Sequence, residues 1–471
     1  MLVVGGGIYG LTIAYDAAQR GLSVALVDRG DFGAATSFNH LKTIHGGLRY
    51  LQSADLRRMR ESVRERRAFA VMAPRFVAPL AFAMPTGASL TRNPIAMKVA
   101  LAIDALVARD RNEGVDDARH LPEGRVIAGQ ECREVFDGVL RTVASAAVWH
   151  DYQTVNGDRL TLSFAIAAAN HGAALANYTE VMGPLNGKGT PHCVRTRDNL
   201  TGDMFDIRAR VLVNATGPWS AALLDPTGRQ AQWPLLKAMN LVTSRPARNA
   251  AVVAPTRGGR ALVLLPWQGR TLVGTSESVD ERRPDDQDAR RTEVDAFLAE
   301  INETFPALQL KPAEVTMVHR GVVPASTVNG RVSLLGHSRI IDHSNAGSPG
   351  LLSVIGVKYT TARLTAERVV NLILTKLRRA PLPCRTAGTK LPGASLEDRD
   401  PTDPITHAVR EEMAQTLNDV LIRRTGWGAA GYPGDAIAVD CANRMQAELR
   451  WSDDQKAREL ETLKRFYEIT A

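Results

Sequence analysis

Cysteine is scarce. The 471 residues carry four, Cys132, Cys193, Cys384 and Cys441, too far apart for a CxxC pair or a metal-ligand spacing. That excludes a disulfide scaffold and a zinc module, and makes reduced thiols the default. No run of about 18 unbroken apolar residues occurs, so no spanning helix is expected. No RNA- or DNA-binding motif accompanies the basic charge, which sets nucleic acid aside as a partner. There is no NADP-type or metal site, no internal repeat and no low-complexity tract. The first residues already read as strand and phosphate loop, so no signal peptide is expected.

What is present is an ordinary globular composition, 44% hydrophobic, in a chain long enough for two or three domains at roughly 100–200 residues each. Lys and Arg outnumber Asp and Glu by 58 to 50, a net charge of +8, which favours anionic substrates or an anionic surface. Much of the excess lies in the segment from Leu56 to Arg67. Two readings of it are open. One is a solvated helix face with Asp55, Glu61 and Glu65 as partners; the other is a patch touching anionic lipid.

The segment from Leu2 to Leu51 is the most informative. A short apolar run leads into Gly5-x-Gly7-x-x-Gly10, a helical pattern and a second apolar run ending at Asp28. That is the strand–turn–helix–strand of a dinucleotide-binding unit. Gly5 permits the tight turn, Gly7 lets a pyrophosphate approach the backbone, and Gly10 lets helix and strand pack closely. The helix N-terminus offers N–H groups to the phosphates, and Asp28 is placed for a ribose. The motif alone does not separate FAD from NAD. Two features favour FAD. One is the small, hydroxyl-rich loop Gly33 to Ser37, with Thr36 and Ser37. The other is a distant buried-type strand ending in Ala215-Thr216-Gly217, as in flavoproteins of the glutathione-reductase type.

Further motifs carry a family resemblance. Ala35-Thr36-Ser37, Lys42 to Leu51 (KTIHGGLRYL), Trp149-His150-Asp151 and Asn214 to Trp219 are similar to the FAD-dependent glycerol-3-phosphate dehydrogenases. So are Pro266-Trp267 with Gly274-Thr275, Leu351 to Arg363 (LLSVIGVKYTTAR), and Arg423-Arg424-Thr425. The resemblance runs in order along nearly the whole chain. It implies an α/β protein with a glutathione-reductase-type FAD-binding Rossmann domain, an antiparallel-sheet substrate domain and a small helical C-terminal region. It implies oxidation of sn-glycerol 3-phosphate to dihydroxyacetone phosphate by hydride transfer to FAD, with electrons passed to quinone or another acceptor. A cytoplasmic protein is implied, in peripheral contact with the inner face of the membrane. Two alternatives stay open: a related enzyme acting on a different 2-hydroxy or amino substrate, and a non-enzymatic flavoprotein. The oligomeric state is left open.

By resemblance, His45, Arg49 and Tyr50 lie beside the flavin. His45, with an ordinary pKa of about 6.5, suits a general base at neutral pH; the other reading is that it only hydrogen-bonds the flavin. Gly46 and Gly47 would let the backbone approach the ring. Arg49 would stabilise an alkoxide or hold the phosphate. Lys358 would sit near substrate and flavin, while Gly356, Tyr359 and Thr360 would face the flavin from a helix start. Ile8, Arg29, Lys42, Val181 and Trp219 complete the implied FAD contacts, and Arg339 matches an arginine assigned to substrate phosphate. His337 and Arg363 are weaker candidates. Two positions depart from the family. Its Gly-Val-Arg-Pro reads Gly321-Val322-Val323-Pro324, so an expected phosphate contact is missing. Arg320, three residues earlier, compensates only if the strand bulges, because side chains alternate faces. Ala238-Met239-Asn240 replaces Gly-Ser-His. Losing one charge-assisted phosphate contact costs on the order of 1.5–3 kcal/mol, or roughly tenfold to a hundredfold in affinity.

The expected organisation is discontinuous: 1–72, 145–225 and 330–380 for FAD, 73–144 and 226–329 for substrate, and 381–471 as a shortened helical cap. Helices are expected at Ile95 to Ala108, Leu160 to His171, Asp280 to Ala299, Thr406 to Arg424 and Ser452 to Tyr467. Strands are expected near Ala174 to Glu180 and at Val211, Leu241 to Ser244, Ala261 to Pro266 and Thr271 to Gly274.

Overall fold

The computed structural model describes residues 1–140, 142–185, 191–224, 233–278, 281–328 and 331–471. A six-stranded sheet runs in the order Arg339–Asp342, Leu351–Ile355, Leu212–Asn214, Leu2–Val4, Ala25–Val27, Ala174–Ala176. All neighbours are parallel except the edge strand Arg339–Asp342. The central strands read LVV, LVN and LLSVI and are buried throughout, as parallel strands covered on both faces must be. Helix Ile8–Gln19 packs between Gly157–Asn170 and Ala362–Lys376 over the largest apolar cluster. Gly10 makes that packing possible: a Cβ there would stand 1.8 Å from the Gly5 carbonyl oxygen. Gly5 has φ +104°, and its own Cβ would meet the Ala215 carbonyl at 2.6 Å.

A larger sheet follows the path Arg331–Leu334, Val315–Val328, Leu235–Pro246, Arg270–Glu277, Ala261–Trp267, Ala251–Pro255, Val77–Pro85, Ser145–Thr154, Thr43–Ile44, with Arg125–Ala128 also on Ser145–Thr154. It is antiparallel but for the pairing of Ala251–Pro255 with Val77–Pro85. Two expected groupings differ here. Ser145–Thr154 pairs along its whole length with Val77–Pro85, and Arg331–Leu334 pairs with Val315–Val328. Both therefore lie in this sheet and not with the dinucleotide-binding strands. Thr179–Val181, His192–Asp198 and Met204–Ala209 form a small third sheet.

Two expected helices are also different. The one from Asp280 begins at Arg291 and runs to Thr304; Asp280 itself lies outside the described residues. Pro284 has no N–H to give a helix interior, and the stretch before Arg291 is irregular. The helix from Thr406 to Arg424 is split into Pro404–Arg410 and a π-helical turn Asp419–Arg424. The break falls at Met413, whose φ of +59° cannot continue a right-handed helix. A further helix, Asp435–Leu449, was not foreseen; it packs with Asp453–Phe466 and the π turn around Ile405, Leu417, Leu421 and Met445.

Candidate active site

A cavity of about 780 Å³ runs between the two large sheets. Its wall includes Gly5, Gly7, Ile8, Asp28, Arg29, Val181, Ala215, Thr216, Gly217 and Trp219, and also Thr36, Ser37, Arg320, Gly356, Lys358 and Tyr359. The glycine turn opens directly into it. Helix Ile8–Gln19 starts at Gly7, which has no side chain to cap it. A Cβ on Gly7 would meet only the Ser37 hydroxyl, at 3.0 Å, and that hydroxyl accepts from the Ile8 N–H at 2.9 Å. Asp28 accepts from the Gly6 and Gly30 N–H groups at 2.6 and 2.9 Å, leaving each oxygen a further lone pair toward the cavity. Desolvation pushes its carboxyl up to about 6. Arg29 lies 4.2 Å over the Trp219 ring, and the Trp219 indole N–H donates to Asp285 at 2.7 Å. The helix start, the side-chain-free turn and the carboxylate fit the pyrophosphate and ribose of a dinucleotide.

Around Tyr50 the structure gathers several of the expected residues. Lys358 Nζ donates to the Tyr50 hydroxyl and lies 4.5 Å from its ring centre. The exposed Arg49 comes within 5.5 Å of the same ring, and the His45 and Tyr50 rings meet edge-on at 6.2 Å. His45 donates its backbone N–H to the Thr360 hydroxyl at 3.3 Å. The cations crowd one another. Desolvation, then Arg49 and Arg58, lower Lys358 to about 6; desolvation, then Lys358, Arg49, Arg66 and Arg58, lower His45 to about 3.

Other expected residues are placed elsewhere. Lys42 does not line the cavity. It is fully buried, donates to the Phe38 carbonyl, and lies 4.0 Å from Asp158 and 5.2 Å from the Trp267 ring. Its neighbours His40 and Leu41 take the wall instead, with His40 stacked 4.5 Å from the Tyr359 ring. Gly46 and Gly47 are needed for packing within the protein: a Cβ on Gly46 would meet Arg66 Nη1 at 2.5 Å, and one on Gly47 would meet the Tyr50 ring at 2.4 Å. Arg339 is exposed and lines neither described cavity. Ser338 beside it points inward to the Tyr9 hydroxyl at 2.9 Å, so alternation sends Arg339 outward. Arg320 lines the cavity, but its guanidinium donates to the carbonyls of Gln287 (2.6 Å) and Val318 (3.1 Å). The strand is in unbroken register from His319 to Pro324, so no bulge swings Arg320 toward Val323's face. Arg363 is a buried structural partner of Glu65.

Three contributors escaped the sequence reading. The Tyr9 hydroxyl donates to the Lys358 carbonyl at 2.8 Å and accepts from the Val357 and Lys358 N–H groups at 3.2 Å. Gly356 leaves room for that ring, since a Cβ there would lie 2.1 Å from it. Arg58 stacks 4.3 Å from the Tyr50 ring and donates to the Gly336 carbonyl. Asp31, on the cavity wall, is bound by Arg423 Nε at 2.6 Å and by Arg424 at 2.6 and 2.8 Å. An aromatic residue inside the glycine motif was the one available signal for Tyr9; Arg58 had none beyond membership of a basic run.

Fold and site together define a dinucleotide-dependent oxidoreductase, and the chain belongs to the FAD dependent oxidoreductase family, whose model matches residues 1–369. Residues 397–456 match the C-terminal domain of alpha-glycerophosphate oxidase. The chain is 30% identical over 416 residues to the glycerol-3-phosphate dehydrogenase of Synechocystis, covering 84% of this chain and 73% of that protein. It is 30% identical over 456 residues to the human mitochondrial glycerol-3-phosphate dehydrogenase, covering 88% of this chain but 59% of the relative's length. The solved glycerol-3-phosphate dehydrogenase from Bacillus halodurans, complexed with FAD, shares the fold at a TM-score of 0.74 and 22% identity, over 99% of this chain and 94% of that one. FAD is the cofactor of the family.

Proposed function

We propose that this chain oxidises sn-glycerol 3-phosphate, or a close phosphorylated polyol, at its secondary alcohol. The observation that carries the reading is the cluster of Arg49, Arg58 and Lys358 around Tyr50, joined to the large cavity through Lys358, which lines it. Bound FAD supplies a two-electron hydride acceptor. Gly5, Gly7, Asp28, Thr36 and Ser37 would hold it. The guanidinium groups would hold the substrate's phosphate and orient the carbinol carbon. The alcohol proton needs an acceptor whose conjugate acid lies near the working pH. Lys358, at about 6, is matched to that task, whereas His45, at about 3, is too weak a base and is better suited to donating or accepting a positioning hydrogen bond. Tyr50 would aim the Lys358 amine. Electrons would leave to a quinone or another acceptor.

Peripheral contact with an anionic membrane belongs to the same proposal. Among the described residues no helix is long and apolar enough to cross a membrane. Helix Pro94–Val107 instead exposes Ile95 (76%), Val99 (56%) and Leu106 (70%), following Leu90 at 92%. It packs beside Leu56–Met72, whose Arg57 and Arg64 face solvent. Apolar side chains flanked by cations suit a lipid surface.

The test is anaerobic addition of sn-glycerol 3-phosphate to the purified holoenzyme while following the flavin absorbance. Rapid bleaching is expected. An inert substrate overturns the reading. Bleaching by a 2-hydroxy acid or an amino acid instead would transfer it to the alternative that Val323 and Asn240, both on the cavity wall, keep open.

A further inference from the structure

The arginines of helix Leu56–Met72 sort by stripe. Arg57 and Arg64, seven residues apart, face solvent. Arg60 and Arg67, on the next stripe, both bind Asp110, at 2.6 and 2.7 Å to the same oxygen. Arg66 is buried against Asp151 and the His150 carbonyl. Arg58 shares a third stripe with Glu65 and turns inward, half-buried. It is the exception among the inward-facing ones: its guanidinium makes no ion pair with any carboxylate among the described residues, and only the Gly336 carbonyl and the Tyr50 ring meet it. A fully buried guanidinium is ordinarily paired; Arg58 is half-buried and has no carboxylate partner among the described residues.

Arg58 borders a second cavity of about 50 Å³, whose wall also includes Tyr50, Gly336, His337, Lys358 and Arg368. Lys358 and Val357 line both cavities, so the small one adjoins the large one. Its volume is that of about three to five waters, the scale of one tetrahedral oxyanion. Glu61, a carboxylate on this wall, is taken up by Arg368 at 2.6 Å and Arg57 at 3.8 Å. The remaining charge is positive. At Val323, where the family resemblance leads one to expect an arginine, this chain has no charge to offer.

We propose that Arg58 is the oxyanion-binding guanidinium of this chain: with Tyr50, His337 and Lys358 it forms a tetrahedral-oxyanion subsite that replaces the arginine missing at Val323. The substrate this subsite selects is a phosphate monoester, an assignment that rests on the function proposed above. An arginine fork holds such a group through paired donors, which a neutral side chain cannot supply.

The holoenzyme, its Arg58→Gln and Arg58→Lys variants, and the double variant R58Q/V323R carry the test. Two quantities are read: sulfate affinity, from perturbation of the oxidised flavin spectrum, and KM for sn-glycerol 3-phosphate. Arg58→Gln should weaken sulfate binding and raise KM by roughly tenfold to a hundredfold, with flavin content kept. Arg58→Lys, which keeps a charge but not the fork, should fall between, and serves if the glutamine variant does not fold. Returning a charge in R58Q/V323R should recover part of the loss. Unchanged sulfate affinity and KM in Arg58→Gln overturn the proposal, as does a wild-type enzyme that binds no sulfate. Arg58-dependent sulfate binding in an enzyme inert to sn-glycerol 3-phosphate would uphold the subsite while refuting the function.

Discussion

Replacing Asp31 with Asn tests how the C-terminal region holds the dinucleotide end of the cavity. Asp31 is fully enclosed and accepts three guanidinium hydrogen bonds, from Arg423 Nε (2.6 Å) and from Arg424 Nη1 and Nη2 (2.6 and 2.8 Å), besides one from Asn177 at 3.2 Å. Burial alone would raise its carboxyl; the charges of Arg424 and Arg423 outweigh burial and hold it well below the usual carboxylate range. In Asp31→Asn, Arg423 keeps Asp419. Arg424 keeps the Glu412 carbonyl but loses the carboxylate bonded to it, and only Asp419 remains to act on it at a distance. Removing one partner of such a pair costs about 3–5 kcal/mol. Because Asp31 belongs to the loop that also carries Asp28 and Arg29, part of that cost should appear as weaker FAD binding, about tenfold for every 1.4 kcal/mol. Urea unfolding of the apoprotein and titration of FAD fluorescence measure the two parts. A double-mutant cycle with Arg424→Met should recover most of the loss, since the orphaned charge goes with it. The depressed carboxyl also fixes the sign with pH: its contribution is complete above the ordinary carboxylate pKa and drains away as pH falls below it. A single variant costing less than about 1 kcal/mol, with unchanged FAD affinity, would refute the clamp, because a buried ion pair cannot lose its anion that cheaply.

Three further outcomes follow from the geometry. Gly10→Ala places a methyl 1.8 Å from the Gly5 carbonyl, a backbone clash, so the variant should fold poorly and copurify without flavin; normal flavin content by absorbance would contradict the packing. Lys358 as the proton acceptor requires its neutral amine, so kcat/KM for flavin reduction should rise with pH through about 6 and level off above; Lys358→Met should lose about 10²–10⁴-fold while His45→Gln keeps the inflection, and stopped-flow rates showing the reverse ranking would hand the proton to His45. Ile95→Asp with Leu106→Asp should lower binding to vesicles containing anionic phospholipid without touching flavin reduction in detergent, and undiminished flotation with such vesicles would remove helix Pro94–Val107 from the interface.

The dinucleotide end was legible because its signals are local. A strand, three glycines and an acid within 28 residues dictate one geometry, and the carbonyl contacts that a Cβ at Gly5 or Gly10 would make show why no other residue serves. The surroundings of Tyr50 were legible only in part. The family motifs singled out His45, Arg49, Tyr50 and Lys358, and the chain brings them together. Lys42 sits in the same motif and was misassigned with it: membership of a motif does not say which face of the chain a residue takes, and Lys42 turns into the space between Phe38, Trp267 and Asp158. Arg339 failed for the same reason of alternation. The split at Met413 was invisible because the apolar spacing on either side of it reads as one helix.

Arg58 was hidden by a different effect. In the sequence it is one of several arginines in a basic run, and a net charge cannot distinguish them. What distinguishes them is the helical period combined with partners that arrive from elsewhere in the chain: Asp110 for one stripe, Asp151 for Arg66, solvent for another. The period was available from the spacing alone; the acids were not, because their positions depend on the loop after helix Pro94–Val107 and on strand Ser145–Thr154. Once those acids are placed, the inward guanidinium without one stands out by subtraction. The same subtraction gives the missing arginine at Val323 its meaning. A strand position on the large sheet lacks the charge that the family resemblance leads one to expect, while a helix position beside the adjoining small cavity holds a charge with no carboxylate partner among the described residues, and under the proposed anion subsite the two observations explain each other.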